Sequence, residues 1–530
     1  MPGGGIVKRQ VLLIVLGLAL AAALAPPPVR ASGRSATLVG AFDVGPGGYP
    51  QKFNPLTATA GFTWFNKYYS TLTLYDETFQ RIEGDLAQSW QVSPDGRRVV
   101  FNLRPGVNWH DGQPFTSRDV KFTLDLVRQP ELGSPFAARL DALSSVSTPD
   151  ERTVVLQLRV ANSALLDALT QLMIVPAHRL GDLAPRDVRD SDWWKTAPVG
   201  TGPFRWGRYL PDQYVELLAY AHYHGGRPRL DRLVNRYFKD PAAAVMALRT
   251  GEIHFTYLSP DQMPEVSARA AARVVEGSSQ VLNYLGFNHR DPRFADLRVR
   301  QAILLAIDRA AIVRSLYGGR ASLAHCVYTQ APWVSDDLDR HAHDPARARA
   351  LLSEAGWARI KGEPIELLTY YNDQVSRDVV AALQAQLAAV GVTIRARFVD
   401  GPTYGQITDS GRFSMVLAGA GNGPEPDVLA PMLSSQAHPP QGVNRMRVDL
   451  PELDRLLALG RETVEPARRA AVYREICRLT NARLPWAPLW VGMRHGGIGH
   501  QVAGMVWWPA PGGGRYRDRA EDWFLRPGAP

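Results

Sequence analysis

Apolar and polar residues alternate in a way that predicts a strand, a helix and a second strand between positions 364 and 399. Residues 365–369 alternate with period two, as a half-buried strand does. Apolar side chains then recur at helical spacing through 380–390, with Ser376 as the predicted N-cap and Gly391 closing the helix. Residues 392–398 alternate again after a short connection. The segment therefore predicts a right-handed parallel crossover.

The same strand–helix–strand pattern occurs at 233–257. Asp240 precedes a proline there, which gives an N-cap followed by proline at the first helical position. Between the two units the apolar stripe predicts one long helix from a cap at Asp296 through Val313. A further helix is predicted from Asp344 onward.

The region 76–195 has a different character. A turn at 93–96 lies between two strand-like runs, and 153–158 reads as another strand, so a separate β-rich insertion is expected. A third apolar run at 413–417 follows the second crossover unit and fits another strand of the same sheet. The predicted fold class is α/β.

The carboxyl ends of these predicted strands are the first place to look for a binding site, because open parallel sheets bind ligands there. Tyr370 and Tyr371 follow the first strand of the later unit, and Tyr404 follows its second strand. Residues 418–422 follow the third. Packing or loop roles are the alternative for each of these residues.

Length and composition limit the class of protein. The chain has 530 residues, 45% hydrophobic and 21% charged, which is ordinary globular composition and exceeds what one hydrophobic core supports. Disordered tails and coiled coils are excluded on this basis. The formal charge is +9, but the arginines are spread along the chain without a basic block, so no nucleic-acid partner is expected.

The first residues predict export. Lys8 and Arg9 precede a fifteen-residue apolar run at 11–25, which is shorter than a membrane-spanning helix and typical of a secretory signal peptide. Cleavage near Ala31 assigns 1–31 to the signal peptide, and an uncleaved anchor is the alternative. No cysteine lies near that position, so a lipid anchor is not expected, and the predicted location is the periplasm.

The enzyme and metal signatures that sequence can reveal are missing. The chain lacks H-E-x-x-H, G-x-S-x-G and the phosphate-binding G-x-x-x-x-G-K-[ST], and the H-Y-H and H-A-H pairs have no evident third ligand. No catalytic residue, metal or cofactor is predicted. The two cysteines, Cys326 and Cys477, either pair in the oxidising compartment or remain buried thiols.

Several stretches in a fixed order resemble one known family. Residues 85–124 contain S-P-D-G, W-H-D-G-Q-P-F and D-V-K-F-T-L; 198–204 read P-V-G-T-G-P-F; and 222–230 include Y-H-G-G-R-P-R-L. Further matches occur at 282–308 and 344–357. In combination they closely resemble the family 5 extracellular solute-binding proteins of ABC importers, the peptide- and nickel-binding group.

The resemblance implies a fold and a mechanism. The expected architecture is the two-lobe periplasmic-binding-protein fold, with hinge strands and a β-rich extra domain inserted in the first lobe. The expected mechanism is capture of a peptide or other small solute by lobe closure and delivery to membrane permease subunits, by a monomer that is not an enzyme. The implied boundaries are 32–77, 196–286 and 488–530 for lobe I, 78–195 for the insertion, and 287–487 for lobe II.

Two positions depart from the peptide-binding pattern that the resemblance implies. Asn422 stands where peptide-binding relatives have an aspartate for the ligand ammonium, and Asp427 or Glu425 is a possible substitute. Tyr370 stands where dipeptide-specific relatives have an arginine for the terminal carboxylate. A charge-assisted bond is roughly twice as strong as a neutral one, so a standard dipeptide ligand is disfavoured.

Aromatic residues fill the expected cleft instead and offer large contact surfaces to rings, sugars or peptide backbones. The alternatives to a peptide-like ligand are an oligosaccharide, an opine or a metal chelate; a secreted hydrolase and a chaperone-like binder are more remote. The predicted ligand-binding residues are Trp64, Tyr370, Tyr371, Tyr404, Asn422, Asp427 and Trp486.

Overall fold

The structure is a computed structural model that describes residues 36–42, 53–58, 62–268, 272–507 and 516–526. The predicted signal peptide at 1–31 lies outside these residues. Within the described residues, no helix is both long and apolar enough to span a bilayer.

The described residues form an α/β fold. In chain order the strands are β1 (Thr37–Ala41), β2 (Thr73–Tyr75), β3 (Ile82–Gly84), β4 (Ala87–Val92), β5 (Arg98–Leu103), β6 (Leu143–Asp150), β7 (Thr153–Leu158), β8 (Phe204–Leu210), β9 (Tyr214–Ala219), β10 (Arg232–Arg236), β11 (Phe255–Leu258), β12 (Ala272–Phe287), β13 (Ala321–Leu323), β14 (Ile365–Thr369), β15 (Ile394–Phe398), β16 (Met415–Gly421), β17 (Trp486–Gly499), β18 (Val502–Ala503) and β19 (Phe524–Leu525). The α-helices span Phe62–Phe65, Ser117–Val127, Leu165–Gln171, Ala177–Leu180, Pro185–Asp190, Trp193–Thr196, Pro241–Arg249, Met263–Ala268, Leu297–Ala306, Arg309–Leu316, Pro345–Glu354, Trp357–Ile360, Gln374–Ala388, Gly401–Ser410, Ala430–Leu433, Pro451–Glu462 and Pro466–Arg483.

One large sheet organises the chain. Its strand order is β15-β14-β16-β12-β17-β11-β1-β10-β9-β8, and β13 pairs with β17 beside that path. We call β1 and β8–β11 the first half-sheet and β14–β16 the second half-sheet. The long strands β12 and β17 lie between them and pair with each other from Ala272 opposite Gly499 to Gly286 opposite Trp486. Their register shifts between Ser278 and Leu282, next to Gln280, whose φ is +53°.

The second half-sheet contains the later predicted crossover unit. Strands β14 and β15 are parallel, and β16 is parallel to β14 on its other edge, as the pattern predicts. The predicted N-cap was wrong by three residues. The helix Gln374–Ala388 is capped by Asp373, whose carboxylate accepts the Ser376 N–H at 3.0 Å, and the Ser376 hydroxyl bonds the same carboxylate.

The first half-sheet contains the earlier unit, with one strand that the pattern did not reveal. The helix Pro241–Arg249 joins β10 to β11 and is capped by Asp240, which accepts the Ala242 N–H at 2.9 Å. Strand β1, from the amino-terminal part of the chain, inserts between β10 and β11 and is parallel to both.

The single long helix predicted from Asp296 to Val313 was wrong. Leu297–Ala306 and Arg309–Leu316 are separate helices, because Ile307 is extended and Asp308 caps the second helix by accepting the Ala311 N–H at 2.7 Å. The Arg309 guanidinium then donates to the carbonyl oxygens of Ala324 and Pro488 at 2.7 and 2.9 Å. The break thus places a cation among carbonyl groups beside β17.

The region between 76 and 195 holds a four-stranded antiparallel sheet in the order β4-β5-β7-β6. The W-H-D-G motif at 109–112 connects this region to the P-V-G-T-G-P-F motif. Gly200 N–H donates to His110 Nδ1 at 3.2 Å, and His110 Nε2 lies 2.9 Å from the Gly202 oxygen. Trp109 donates to Asp119 within the same motif region. These contacts give the motif a structural role.

The two cysteines form a disulfide bond. Cys326 and Cys477 join the segment after β13 to the helix Pro466–Arg483, across 151 residues of chain. The alternative of two buried thiols was therefore wrong. Both residues lie in the apolar core that covers one face of the second half-sheet.

Two cores cover the two faces of this half-sheet, as alternate residues of β16 indicate. Met415 and Leu417 pack into one core, which includes the helix Gln374–Ala388. Val416 and Ala418 pack into the other, which includes the disulfide.

Candidate functional site

A cavity of about 690 Å³ lies between the two half-sheets. We call it the central cavity. The loop 259–261 after β11 lines it from the first half-sheet, and Tyr371 with the first residues of the helix Gln374–Ala388 lines it from the second. Asn283 of β12 and Trp490 of β17 also lie on its wall. A volume of this size falls in the range of roughly 300–1,000 Å³ that holds a small-molecule ligand.

A smaller cavity of about 270 Å³ lies on the opposite face of the second half-sheet. We call it the aromatic pocket. Tyr284 and Trp486 stack in its wall with ring centroids 4.3 Å apart and an interplanar angle of 17°. Tyr370 and Tyr404 meet edge to face at 4.9 Å. Its remaining side chains include Met432, Val443, Arg445 and Met446.

Strand ends position the aromatic side chains. Tyr370 directly follows β14, and Tyr404 lies in the first turn of the helix Gly401–Ser410 that follows β15. Tyr284 and Trp486 belong to the antiparallel neighbours β12 and β17. The structure therefore brings together three of the predicted site residues, Tyr370, Tyr404 and Trp486.

Two neighbouring tyrosines separate the two cavities. The rings of Tyr370 and Tyr371 are 4.6 Å apart, and Tyr370 faces the aromatic pocket while Tyr371 faces the central cavity. Gly419 N–H donates to the Tyr370 hydroxyl at 3.3 Å. A Cβ atom at 419 would collide with the Tyr371 hydroxyl, so glycine is needed for the two rings to lie over β16. Burial and the neighbouring Tyr370 raise the pKa of Tyr371, which keeps its hydroxyl neutral.

Asn422 lies at the carboxyl end of β16 and is 6% exposed. Its backbone N–H donates to Gln280 O at 2.6 Å, and its side-chain Nδ2 donates to Val327 O at 3.1 Å. Nearby, Gln280 Oε1 and the Tyr328 hydroxyl are buried and have no hydrogen-bond partner among the described residues. Buried polar groups are normally satisfied, so these two atoms are candidates for hydrogen bonds to a solute beside the irregular part of β12.

The two carboxylates near Asn422 already have arginine partners. Arg461 Nε donates to Asp427 at 2.9 Å, and Arg469 Nη1 donates to Glu425 at 3.0 Å. Burial raises the pKa of Asp427 to about 6, although Arg461 opposes the shift. Neither carboxylate is left free for a ligand in this structure, and a binding role for Asp427 stays a prediction.

Trp64 lies apart from the other predicted site residues. It is fully buried, packs against Phe42 at 5.8 Å, and is not among the described residues that line either cavity. Its indole Nε1 has no hydrogen-bond partner in the described part of the chain. A ligand role for Trp64 remains a prediction.

Sequence reasoning missed several residues of the two cavities. Tyr284 and Trp490 belong to β12 and β17, whose pairing is not visible in a local pattern. Arg445 lies in an irregular segment between the helices Ala430–Leu433 and Pro451–Glu462. The loop 259–261 carried a usable signal, because it follows the second strand of the earlier crossover unit.

The described residues contain no group of three or more histidine, cysteine or acidic side chains arranged to hold a metal ion.

Comparisons with known proteins agree with this architecture. The family described as "Bacterial extracellular solute-binding proteins, family 5 Middle" matches residues 81–440. A putative ABC transporter peptide-binding protein of Brucella ovis is 46% identical over 517 residues, which covers 96% of this chain and 98% of that protein.

Solved structures share the two-lobe fold. The ABC transporter substrate-binding protein CtaP of Listeria monocytogenes superposes with a TM-score of 0.83 at 24% identity, covering 93% of this chain and all of that chain. The oligopeptide-binding protein AppA of Bacillus subtilis, in complex with a nonapeptide, gives a TM-score of 0.79 at 24% identity, covering 92% and 99%. Fold, sequence match and extent agree, and the chain belongs to the family 5 bacterial extracellular solute-binding proteins.

Proposed function

We propose that this protein is the exported substrate-binding component of an ABC importer. It captures a peptide or peptide-like solute between its lobes and delivers it to membrane permease subunits. The observation that carries the proposal is the central cavity, which is lined by the loop after β11 on one side, by β16 and the residues after β14 on the other, and by β12 and β17 between them. The names of the Brucella and Bacillus relatives support a peptide as the solute.

The proposed lobes follow the sequence boundaries. Lobe closure would turn on β12 and β17, where the register shift at 278–282 and the left-handed Gln280 interrupt regular pairing. Such a hinge lets two rigid halves close around a ligand. The solute stabilises the closed form only by as much as it binds that form more tightly.

The described residues around Asn422 offer no free charged anchor for the peptide amino terminus, and the carboxylates that line the central cavity are Asp261, Asp373 and Asp378. Asn422 is an amide bonded to Val327 O, while Asp427 and Glu425 are held by arginines. Tyrosine and tryptophan surfaces then supply most of the contact area, in a manner that suits peptide backbones and apolar side chains.

Native mass spectrometry of protein purified without denaturation tests the proposal. We expect a retained set of masses separated by amino-acid residue masses, on a protein of monomeric mass. A single retained non-peptide mass would replace the peptide by an oligosaccharide, an opine or a metal chelate. Chemical conversion of the retained compound on incubation would contradict pure capture.

The Asn422→Ala variant tests the placement of the cleft. We expect weaker solute binding with little change in the far-ultraviolet circular dichroism spectrum, because the variant removes the side-chain oxygen that is proposed to accept a hydrogen bond from the solute, together with the Nδ2 bond to Val327 O that orients it. Affinity equal to that of the wild type, measured by calorimetry with the retained solute, would remove Asn422 from the site.

A further inference from the structure

The charged side chain in the wall of the aromatic pocket is a cation. Of the described residues that line it, Arg445 is the only one that carries a formal charge, and the others are aromatic, aliphatic, methionine or glycine residues. A solute group with a positive charge would meet this guanidinium and no carboxylate in the wall. A group with a negative charge or a strong acceptor would be attracted to it.

The Arg445 guanidinium is only partly engaged. Its Nε donates to Asp409 Oδ1 at 2.8 Å and its Nη2 to Asp409 Oδ2 at 3.4 Å. Among the described residues nothing bonds its Nη1. The side chains of Arg445 and Asp409 are 34% and 46% exposed. Water weakens this partly exposed ion pair, and Nη1 is left for an acceptor in the pocket.

Trp486 supplies a second unused donor. It is 1% exposed, forms the pocket wall with Tyr284, and its Nε1–H has no hydrogen-bond partner among the described residues. A buried indole N–H normally finds a partner. The described residues provide no acceptor for Arg445 Nη1 or for Trp486 Nε1, which points to an acceptor on the solute.

The size of the pocket limits what it holds. Its volume of about 270 Å³ lies just below the range for a whole small-molecule ligand, so it suits one ring or one side chain of a larger solute. The stacked and edge-to-face rings around it favour an aromatic or long apolar body.

We propose that the aromatic pocket selects a solute group that combines an aromatic or apolar body with a carboxylate, and that Arg445 is the residue that recognises this carboxylate. The inference rests on the proposed function and names the class of solute. A peptide with an aromatic last residue and a free carboxyl terminus has this chemistry, and so does a small aromatic carboxylic acid.

The test uses three probes and calorimetry on the protein freed of retained solute. The probes are Ala-Ala-Phe, Ala-Ala-Phe amide and N-acetylphenylalanine. We expect the wild type to bind Ala-Ala-Phe about tenfold more tightly than its amide, because a charge-assisted hydrogen bond is lost in the amide. Binding of N-acetylphenylalanine as well would identify small aromatic acids as a second source of the group.

The variant Arg445→Gln should reduce the acid-to-amide ratio to within about twofold, and Arg445→Lys should restore part of it. The matched control is Arg412→Gln, which removes the same charge from an exposed arginine of the same region that does not line the pocket. Thermal unfolding checks that each variant folds.

An unchanged acid-to-amide ratio in Arg445→Gln would overturn the inference, as would failure of the wild type to bind either carboxylate probe. These results would leave the proposed function standing. A retained mass that is not a peptide would instead remove the peptide from the proposed function, and chemical conversion of the retained compound would remove capture itself.

Discussion

At the scale of single residues, the site depends on Gly419 of β16, which has no side chain, as well as on the tyrosines beside it. Gly419 leaves the space above β16 in which the two tyrosine hydroxyls lie. The separation between the central cavity and the aromatic pocket follows from this one position, because Tyr370 and Tyr371 form the partition.

Replacing Gly419 with alanine should therefore disrupt the site. The new Cβ would collide with the Tyr371 hydroxyl and lie 2.7 Å from Val281 Cγ1, so the ring must move. We expect a loss of about 1–3 kcal/mol in the free energy of unfolding and at least tenfold weaker solute binding, measured by denaturation and calorimetry. Gly421→Ala is the matched control, since nothing lies within 4 Å of a Cβ there. Equal effects of both variants would contradict the role of Gly419.

The His110 imidazole gives a prediction about pH. Burial lowers the pKa of His110 to about 4, from an ordinary 6.5, and the ring accepts the Gly200 N–H while it faces the Gly202 oxygen. The folded state therefore binds the proton less well than the unfolded state. The neutral His110 imidazole therefore contributes fully to the free energy of unfolding above pH 6.5, and this contribution is lost as the pH falls toward 4. Nuclear magnetic resonance titration should place the His110 midpoint near 4, and a midpoint near 6.5 would contradict the burial argument.

At the scale of elements, local patterns predicted the crossover units and failed where distant strands pair. The unit at 364–399 was predicted because alternation and helical spacing are local properties, and Tyr370 and Tyr404 followed from it because parallel strands place their carboxyl ends together. Tyr284 was not predicted, because its place in the site depends on the pairing of β12 with β17 across some 200 residues of chain. Arg445 belongs to an irregular segment that has no periodicity to read.

The start of the helix Gln374–Ala388 shows why the predicted N-cap was three residues away from the observed one. Asp373 and Ser376 both suit an N-cap, and only the hydrogen bond from Ser376 N–H to Asp373 decides between them. We expect Asp373→Ala to lower the free energy of unfolding by about 1 kcal/mol and Ser376→Ala to lower it by less than half as much. Chemical denaturation compares the two directly, and a larger effect of Ser376→Ala would restore Ser376 as the cap.

At the scale of the whole molecule, hydrogen bonds between the regions proposed as the insertion and lobe II bear on closure. Ser163 N–H donates to Arg461 O at 2.9 Å, and the Ser163 hydroxyl donates to Thr463 O at 2.7 Å. These residues are 300 positions apart in the chain and lie in the regions proposed as the insertion and lobe II. If the lobes separate in the unliganded protein, such bonds form only on closure.

The variant Ser163→Ala should therefore weaken solute binding more than folding. Losing one hydrogen bond of about 1 kcal/mol predicts roughly fivefold lower affinity. Ser144→Ala is the control, because the Ser144 hydroxyl bonds Gln157 O inside the inserted sheet. Similar affinities in both variants would mean that the Ser163 contact persists in the open protein.

Small-angle X-ray scattering measures lobe closure around a captured solute. The protein is freed of retained solute by unfolding and refolding, and its radius of gyration is compared before and after saturation with that solute. We expect a smaller radius of gyration in the saturated protein, because two lobes close over the central cavity. An unchanged radius, with saturation verified by calorimetry, would contradict capture by closure.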